Sequence, residues 1–157
     1  MTNRCGAPTV GEVSEQSTFA DRIRGSGLRV TRPRVAVLEA VHSHPHADTD
    51  TIVGAVRSTL PDVSTQAVYD VLRALTTSRL IRKIQPSGHL ARYEARIDDN
   101  HHHVVCRQCG TIGDVDCAIG QAPCLTPSND QGFVVDEAEV IYWGLCPDCS
   151  ATRTETA

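Results

Sequence analysis

No stretch of the 157 residues is both apolar and long enough to cross a bilayer, which takes about 18 residues or more. Residues 1–18 also lack the apolar stretch of an export signal. A cytoplasmic chain with no membrane partner is the expectation. Aromatic residues are scarce, at 4%, so a core has to be built mostly from Val, Leu, Ile and Ala. There is no internal repeat, no low-complexity segment and no nucleophile motif of the G-x-S-x-G kind. At roughly 150 residues per domain the length leaves room for one domain or two small ones. A composition 40% apolar and 22% charged excludes a wholly disordered chain. What the chain has in excess is seven cysteines and seven histidines. In a reducing compartment, clustered Cys and His point to metal or redox chemistry and not to disulfides.

The net charge of −4 conceals a division. Residues 19–96 hold twelve Lys/Arg against seven Asp/Glu, a net of +5, whereas residues 97–157 hold two against ten, a net of −8. The second stretch also holds six of the seven cysteines. A basic module suited to a polyanion is thus followed by an acidic one suited to cations.

The organisation along the chain agrees with that division. Residues 1–17 have no apolar periodicity and read as a flexible tail, with Cys5 as a free thiol in it. Residues 18–96 read as helices followed by a hairpin. Thr18, Thr31, Asp48 and Ser64 stand where helix N-caps are expected, and Pro33 suits a first helical turn. In the fourth helix Val68, Val71, Leu72 and Leu75 recur at i, i+3, i+4 and i+7, one buried stripe. Gln66, Tyr69, Asp70 and Arg73 repeat the same spacing on the opposite face. Leu80 to Glu94 reads as two strands around a Pro86-Ser87-Gly88 turn, with Arg82, Lys83 and Arg92 on them. Helices followed by a basic hairpin form a winged helix-turn-helix, whose last helix enters the major groove of DNA. Residues 97–150 read as strands at His102–Val104, Ile112–Val115 and Phe133–Leu145, with one short helix between Cys117 and Gly132. Residues 151–157 read as a second flexible tail.

Two knuckles, Cys106-x-x-Cys109-Gly110 and Cys146-x-x-Cys149, carry the sharpest chemical signal. A two-residue gap lets both thiolates of a tight turn face one ion, and two such turns complete a tetrahedral zinc site. Inert core cysteines or a redox pair are the alternative. His101, His102 and His103 add imidazoles; on a strand the first and third share a face. With Glu94, Asp114 and the His42, His44 and His46 run they offer nitrogen and oxygen donors, which suit Fe(II), Mn(II), Zn(II), Co(II) or Ni(II). Cys117 and Cys124 lie too far apart in sequence for a tight chelate and read as core or peripheral thiols, with a thiol switch as the alternative.

Taken together, Ser64-x-x-x-Val68-Tyr69, Glu94, His101-His102-His103-x-x-Cys106-x-x-Cys109 and Cys146-x-x-Cys149 resemble the ferric uptake regulator (Fur) family of bacterial metal-dependent repressors. The stretches Leu28–Arg34, Asp114–Cys117 and Ile141–Cys146 are similar to the actinobacterial FurA subgroup, whose members repress the catalase-peroxidase gene and usually their own. The resemblance implies an α+β homodimer, with an N-terminal winged helix-turn-helix domain and a small C-terminal α/β dimerisation domain. It implies structural Zn(II) on Cys106, Cys109, Cys146 and Cys149. It further implies a regulatory Fe(II) or Mn(II) site on His46, Glu94, His101, His103 and Asp114, at the hinge between the domains. Iron in such a site can oxidise its own histidine ligands when peroxide arrives. The family's further metal site, which uses the position of His102, is incomplete, because Asn100 and Gln121 occupy two of its places. Another departure is Asp70, where the family usually has Arg: an acid repels phosphate but accepts from cytosine N4.

The expected function is therefore a metal-dependent, oxidant-responsive repressor that binds double-stranded operator DNA. The expected DNA-facing residues are Arg29, Arg32, Arg34, Ser64, Gln66, Tyr69 and Arg73. An enzyme is not expected. The alternatives are a zinc-stabilised protein-interaction module and a metallo-hydrolase, which would need an open pocket and a positioned base.

Overall fold

The computed structural model describes residues 18–86, 88–97, 101–116, 131–134 and 140–154. Four capped helices come first. α1 (Phe19–Gly25) opens on a capping box, in which Asp21 N donates to Thr18 Oγ1 and the Asp21 carboxylate accepts from Thr18 N in return. α2 (Arg32–Ser43), α3 (Thr49–Thr59) and α4 (Thr65–Thr77) open on Thr31, Asp48 and Ser64. Each of these side chains accepts from an amide that no helical carbonyl can reach, which is worth about 1 kcal/mol per cap.

The stripe expected on α4 buries except at Val71, which is half-buried at the edge of the core. Val68, Leu72 and Leu75 are at most 1% exposed, and they pack with Ile23 of α1, Leu38 of α2 and Ile52 of α3. Every fully buried side chain of this size contributes roughly 1.5–3 kcal/mol. The hairpin follows as β2 (Arg82–Ile84) and β3 (Arg92–Glu94), paired antiparallel. A further short strand, β1 (Ala47–Asp48), adds to the outer edge of β3 to give the order β1-β3-β2. Two residues carry no periodicity, so no pattern in the sequence announces β1.

The second sheet contains β4 (His102–Cys106), β5 (Ile112–Val115) and β6 (Ile141–Gly144) in the order β5-β4-β6. β5 returns antiparallel through the first knuckle; β6 lies parallel to β4, which requires a crossover. Of the strand expected over Phe133–Leu145, residues 135–139 lie outside the described residues. Among the described residues Ile141–Gly144 pairs with β4, while Phe133 and Val134 lie outside any strand and are exposed, which corrects the expected start of the strand. The tail expected from residue 151 is corrected too, because α5 (Pro147–Thr154) runs through residues 151–154. Thr152 Oγ1 donates to Asp148 O within that helix. Cys5, Cys117, Cys124, Asn100 and Gln121 lie outside the described residues, as does most of the segment where a short helix was expected.

A second apolar cluster gathers Ile84, Val105 and Ile112, with Ile141 and Trp143 at its border. Ile84 belongs to β2, whereas Tyr93 of the neighbouring β3 packs into the first cluster. The hairpin is therefore a wall shared by both cores. No helix among the described residues is long and apolar enough to cross a membrane.

Candidate metal centres and nucleic-acid interface

The hairpin brings two sets of polar donors to the same place. Ala47 pairs with Tyr93 and Asp48 with Arg92, so one step further along this register His46 lies across from Glu94. His46 itself adopts φ 58°, a left-handed conformation that turns the chain into β1. In the second sheet His103 is the direct partner of Asp114, and His101 precedes it by two residues on the same face. The outcome is convergence. The Nε2 atoms of His46, His101 and His103 each lie 3.2 Å from a single oxygen, Glu94 Oε2. Asp114 Oδ1 lies 2.9 Å from His46 Nε2, 3.8 Å from His103 Nε2 and 3.9 Å from His101 Nε2. Ligand atoms of His46, Glu94, His103 and Asp114 are all within 4.8 Å of one another. All five residues expected to act together are brought together, at Glu94 and His103 with only 1% exposure.

The electrostatics of this cluster are those of donors facing one point. Burial by itself pushes the Glu94 carboxyl up, but hydrogen bonds from His103 and His46 and the charge of the imidazoles outweigh it and hold the group at about 2. His46 is raised, first by its hydrogen bond to Glu94, against burial and with the help of Asp114. Among the described residues Glu94 Oε1 and His103 Nδ1 are buried without a hydrogen-bond partner. One carboxylate oxygen cannot satisfy three imidazoles as a hydrogen-bond acceptor and leave nothing strained. Two imidazole nitrogens and two carboxylate oxygens within 4.8 Å of one another, with His101 Nε2 beside Glu94, fit a divalent first-row ion.

The cysteines form a different kind of cluster. Cys106 ends β4, and the parallel pairing sets Gly144 of β6 beside it, with Arg107 N donating to Gly144 O at 2.8 Å. That register delivers Cys146 to the first knuckle, and the opening turn of α5 delivers Cys149. All four sulfurs lie within 4.8 Å of one another, with Cys109 Sγ 3.6 Å from Cys146 Sγ. No disulfide is present among them. Thiolates of a tetrahedral zinc site stand about 3.8 Å apart, from a Zn–S distance of about 2.3 Å. Backbone N–H groups of Cys109 and Cys146 directed at Cys106 lower its thiol to about 6. Cys149 is pushed up to about 12, first by its hydrogen bond with the Cys146 thiol and then by burial and the other sulfurs. A cluster that cannot ionise together without a cation is one a cation fits. Gly110 turns this knuckle at φ 74°, and a Cβ there would meet His89 Nδ1 at 2.7 Å, so only glycine suits.

On α4 the side chains of Gln66, Tyr69, Asp70 and Arg73 are exposed, as the pattern implied, and with Lys83 and Tyr93 they line a groove of about 350 Å³ between α4 and the hairpin. Asp70 Oδ1 accepts from Gln66 Nε2 and from Arg73 Nη2, both at 3.2 Å. Ser64 Oγ is engaged as the cap of α4, accepting from Ala67 N at 3.1 Å. Arg29 and Arg32 are exposed; Arg34 Nη1 donates to Arg29 O at 2.6 Å and so fixes the approach to α2. The sequence reading missed Arg96 and placed Arg82 only as a basic hairpin residue. Arg82 Nε lies 3.9 Å from Glu94 Oε1, and Arg96 Nη1 lies 3.5 Å from Asp114 Oδ2. The β2–β3 register, which pairs Arg82 with Glu94, is the signal that finds the first. It also missed the hairpin-to-knuckle contact, where His89 lies 6.1 Å from the Trp143 ring, with the Arg107 guanidinium 5.4 Å from that ring's centroid.

Comparison with known proteins adds a lineage to this geometry. The sequence profile of the ferric uptake regulator family matches residues 25–142. Over 136 residues the chain is 71% identical to the transcriptional regulator FurA of Mycobacterium tuberculosis, covering 87% of this chain and 92% of that protein. It is 28% identical over 128 residues to the peroxide-responsive repressor PerR of Staphylococcus saprophyticus, covering 81% of this chain and 86% of that protein. Among solved structures, the Helicobacter pylori ferric uptake regulator Fur superposes with a TM-score of 0.62 at 18% identity, covering 82% of this chain and 87% of that one. At that identity the structural likeness is one of fold.

Proposed function

The chain belongs to the ferric uptake regulator family, and from that premise we propose that it is a homodimeric, metal-dependent, oxidant-responsive repressor of transcription. One observation carries the reading: donors from both sheets meet at one carboxylate oxygen, Glu94 Oε2. His46 and Glu94 belong to the helical, basic part of the chain; His101, His103 and Asp114 belong to the acidic part. A divalent ion, Fe(II) or Mn(II), supplies here a positive charge that both sets of donors face at once. His46 and Glu94 keep their hold on it only while the hairpin stays against the second sheet. The five donors thereby favour one relative placement of the two parts over others.

In a dimer that placement sets the distance between two α4 helices, which has to match successive major grooves. Tyr69 and Arg73 on α4 contact bases and phosphates, with Gln66 and Ser64 beside them; Arg29, Arg32 and Arg34 hold the backbone. Cys106, Cys109, Cys146 and Cys149 hold structural zinc, which fixes the ends of β4 and β6 and the start of α5. Oxidation of an imidazole donor by peroxide would take one anchor from the cluster and free the hinge. The peroxide-responsive name of the PerR relative supports an oxidative-stress target, and the catalase-peroxidase gene and the chain's own gene are the proposed ones. Residues 18–96 and 97–150 are the two proposed domains, and the cytoplasm is the proposed location.

The test is binding of a duplex from those promoters, at several salt concentrations, with Mn(II), with a mild chelator, and with His103→Ala that retains its zinc. The expected result is salt-sensitive binding that needs Mn(II) and is lost in His103→Ala. Binding that is indifferent to both overturns the reading in favour of a zinc-stabilised interaction module.

A further inference from the structure

Each carboxylate of the mixed cluster has a guanidinium on its outer side. Glu94 gives Oε2 to the three imidazoles, while its other oxygen, Oε1, faces Arg82 Nε at 3.9 Å. Asp114 gives Oδ1 to His46, while its other oxygen, Oδ2, faces Arg96 Nη1 at 3.5 Å. The same Arg96 reaches Asp116 Oδ1 with Nη2 at 2.7 Å. The two guanidiniums arrive from different places: Arg82 is the cross-strand partner of Glu94 on β2, and Arg96 follows β3 on the way to the second sheet.

We propose that Arg96 is a positioning residue of the mixed cluster, holding the outer oxygen of Asp114 so that this carboxylate offers a single oxygen to the cation. The inference rests on the proposed reading of the cluster as a divalent-metal site. Arg82, at 3.9 Å, makes no hydrogen bond to Glu94, and Glu94 needs none to be oriented. Glu94 is buried and gripped by three imidazoles, so its orientation is already determined. Asp114 is 31% exposed and touches His46 at one oxygen, so without Arg96 it can turn toward water or present both oxygens. The fork of a guanidinium spans two carboxylates, here Asp114 and Asp116, in a way an ammonium does not. Asp116 is 86% exposed and lies outside the ligand set, so it serves as the anchor for Arg96.

Two effects of Arg96 on a bound cation oppose each other. Its positive charge repels the ion, and its hold on Asp114 organises a ligand. The repulsion is largely offset, because Asp116 sits against the same guanidinium, and near the surface what remains is screened. Orientation therefore prevails, and removing Arg96 weakens metal binding. Outer-shell partners of metal ligands commonly account for 10–100-fold in affinity. The lower end applies to a partly exposed contact.

The experiment uses the full zinc-loaded chain. Mn(II) affinity is read from the free-ion electron paramagnetic resonance signal, and the geometry at the site from the visible absorption of added Co(II). The expected result is that Arg96→Ala weakens Mn(II) binding about tenfold and changes the Co(II) band, because Asp114 is no longer held to one oxygen. Arg96→Lys, which keeps the charge and loses the fork, restores neither reading fully, and Asp116→Asn shifts both in the same direction by less. An Arg96→Ala protein with wild-type affinity and an unchanged band, or with tighter Mn(II) binding, overturns the proposal; so does Arg96→Lys that matches wild type in both. His103→Ala separates this from the reading beneath it. If His103→Ala also keeps full Mn(II) affinity, the cluster is not a metal site at all. If His103→Ala loses Mn(II) while Arg96→Ala does not, only the positioning role fails.

Discussion

The two candidate centres differ less in what they can bind than in what they join. The four cysteines come from the end of β4, the turn after it, the segment after β6 and the first turn of α5, all within the second sheet and its helix. The His and carboxylate donors come from both sheets, with the hairpin between them. A closed soft-ligand cluster inside one unit can only fasten that unit. A mixed cluster that spans two units can change how they sit, and its weaker, exchangeable ligands allow the occupancy to vary.

That contrast is most severely strained by removing a thiolate. Cys106→Ser is expected to lose zinc and with it the second sheet and the dimer, because a structural zinc site contributes folding free energy directly. Zinc content and sedimentation report the outcome. In contrast, Glu94→Gln should leave zinc and dimer intact and abolish Mn(II) binding, and a variant that loses both ions together would erase the distinction between the centres.

Next in size is a change that belongs to neither centre. Leu72→Ala empties a site 1% exposed in the helical core and is expected to cost roughly 2–5 kcal/mol, lowering the melting temperature with zinc content unchanged.

The pH dependence of the metal-free chain reports on the mixed cluster. The folded Glu94 carboxyl, at about 2, lies below its ordinary 4.5, so its contribution to stability is complete above about 4.5 and is lost as pH falls toward about 2. His46 is raised from 6.5, so its contribution is complete below about 6.5 and fades as pH rises through the folded value. Metal-free melting should therefore be steepest in acid, below about 4.5. Glu94→Gln should flatten that limb, and an unaltered limb would mean that other carboxylates govern it.

Much of this was legible in the sequence because the signals were local. Ser64 and Asp48 announced their helices through a single side chain, and Val68, Leu72 and Leu75 announced a buried face through spacing. The two knuckles and the His101–His103 spacing announced in the same way which side chains come together. What was not legible depends on partners distant in sequence. β1 exists because β3 offers an edge, and β6 stops where β4 stops pairing. α5 follows from the knuckle that starts it, although residues 151–154 carry no apolar stripe. Arg96 gains its place only when β5 brings Asp114 and Asp116 beside the linker.

The smallest expected effect concerns a cap. Asp48→Ala removes the acceptor for Thr51 N and is expected to cost about 1 kcal/mol, without altering Mn(II) or zinc binding. Because this carboxyl is lowered by its bonds to Thr51, the loss relative to wild type should be full above 3.8 and should shrink as pH falls below it. Differential melting at neutral and acid pH checks the sign.

The central claim is that the mixed cluster couples metal to the placement of the DNA-facing helices. Reciprocity makes it testable in one titration: Mn(II) binding to zinc-loaded protein, measured with and without a saturating operator duplex. If Mn(II) tightens operator binding by some factor, the operator must tighten Mn(II) binding by that same factor. The account predicts a clearly higher Mn(II) affinity in the presence of the duplex, and no such gain with His103→Ala. An identical Mn(II) affinity with and without the duplex would contradict it.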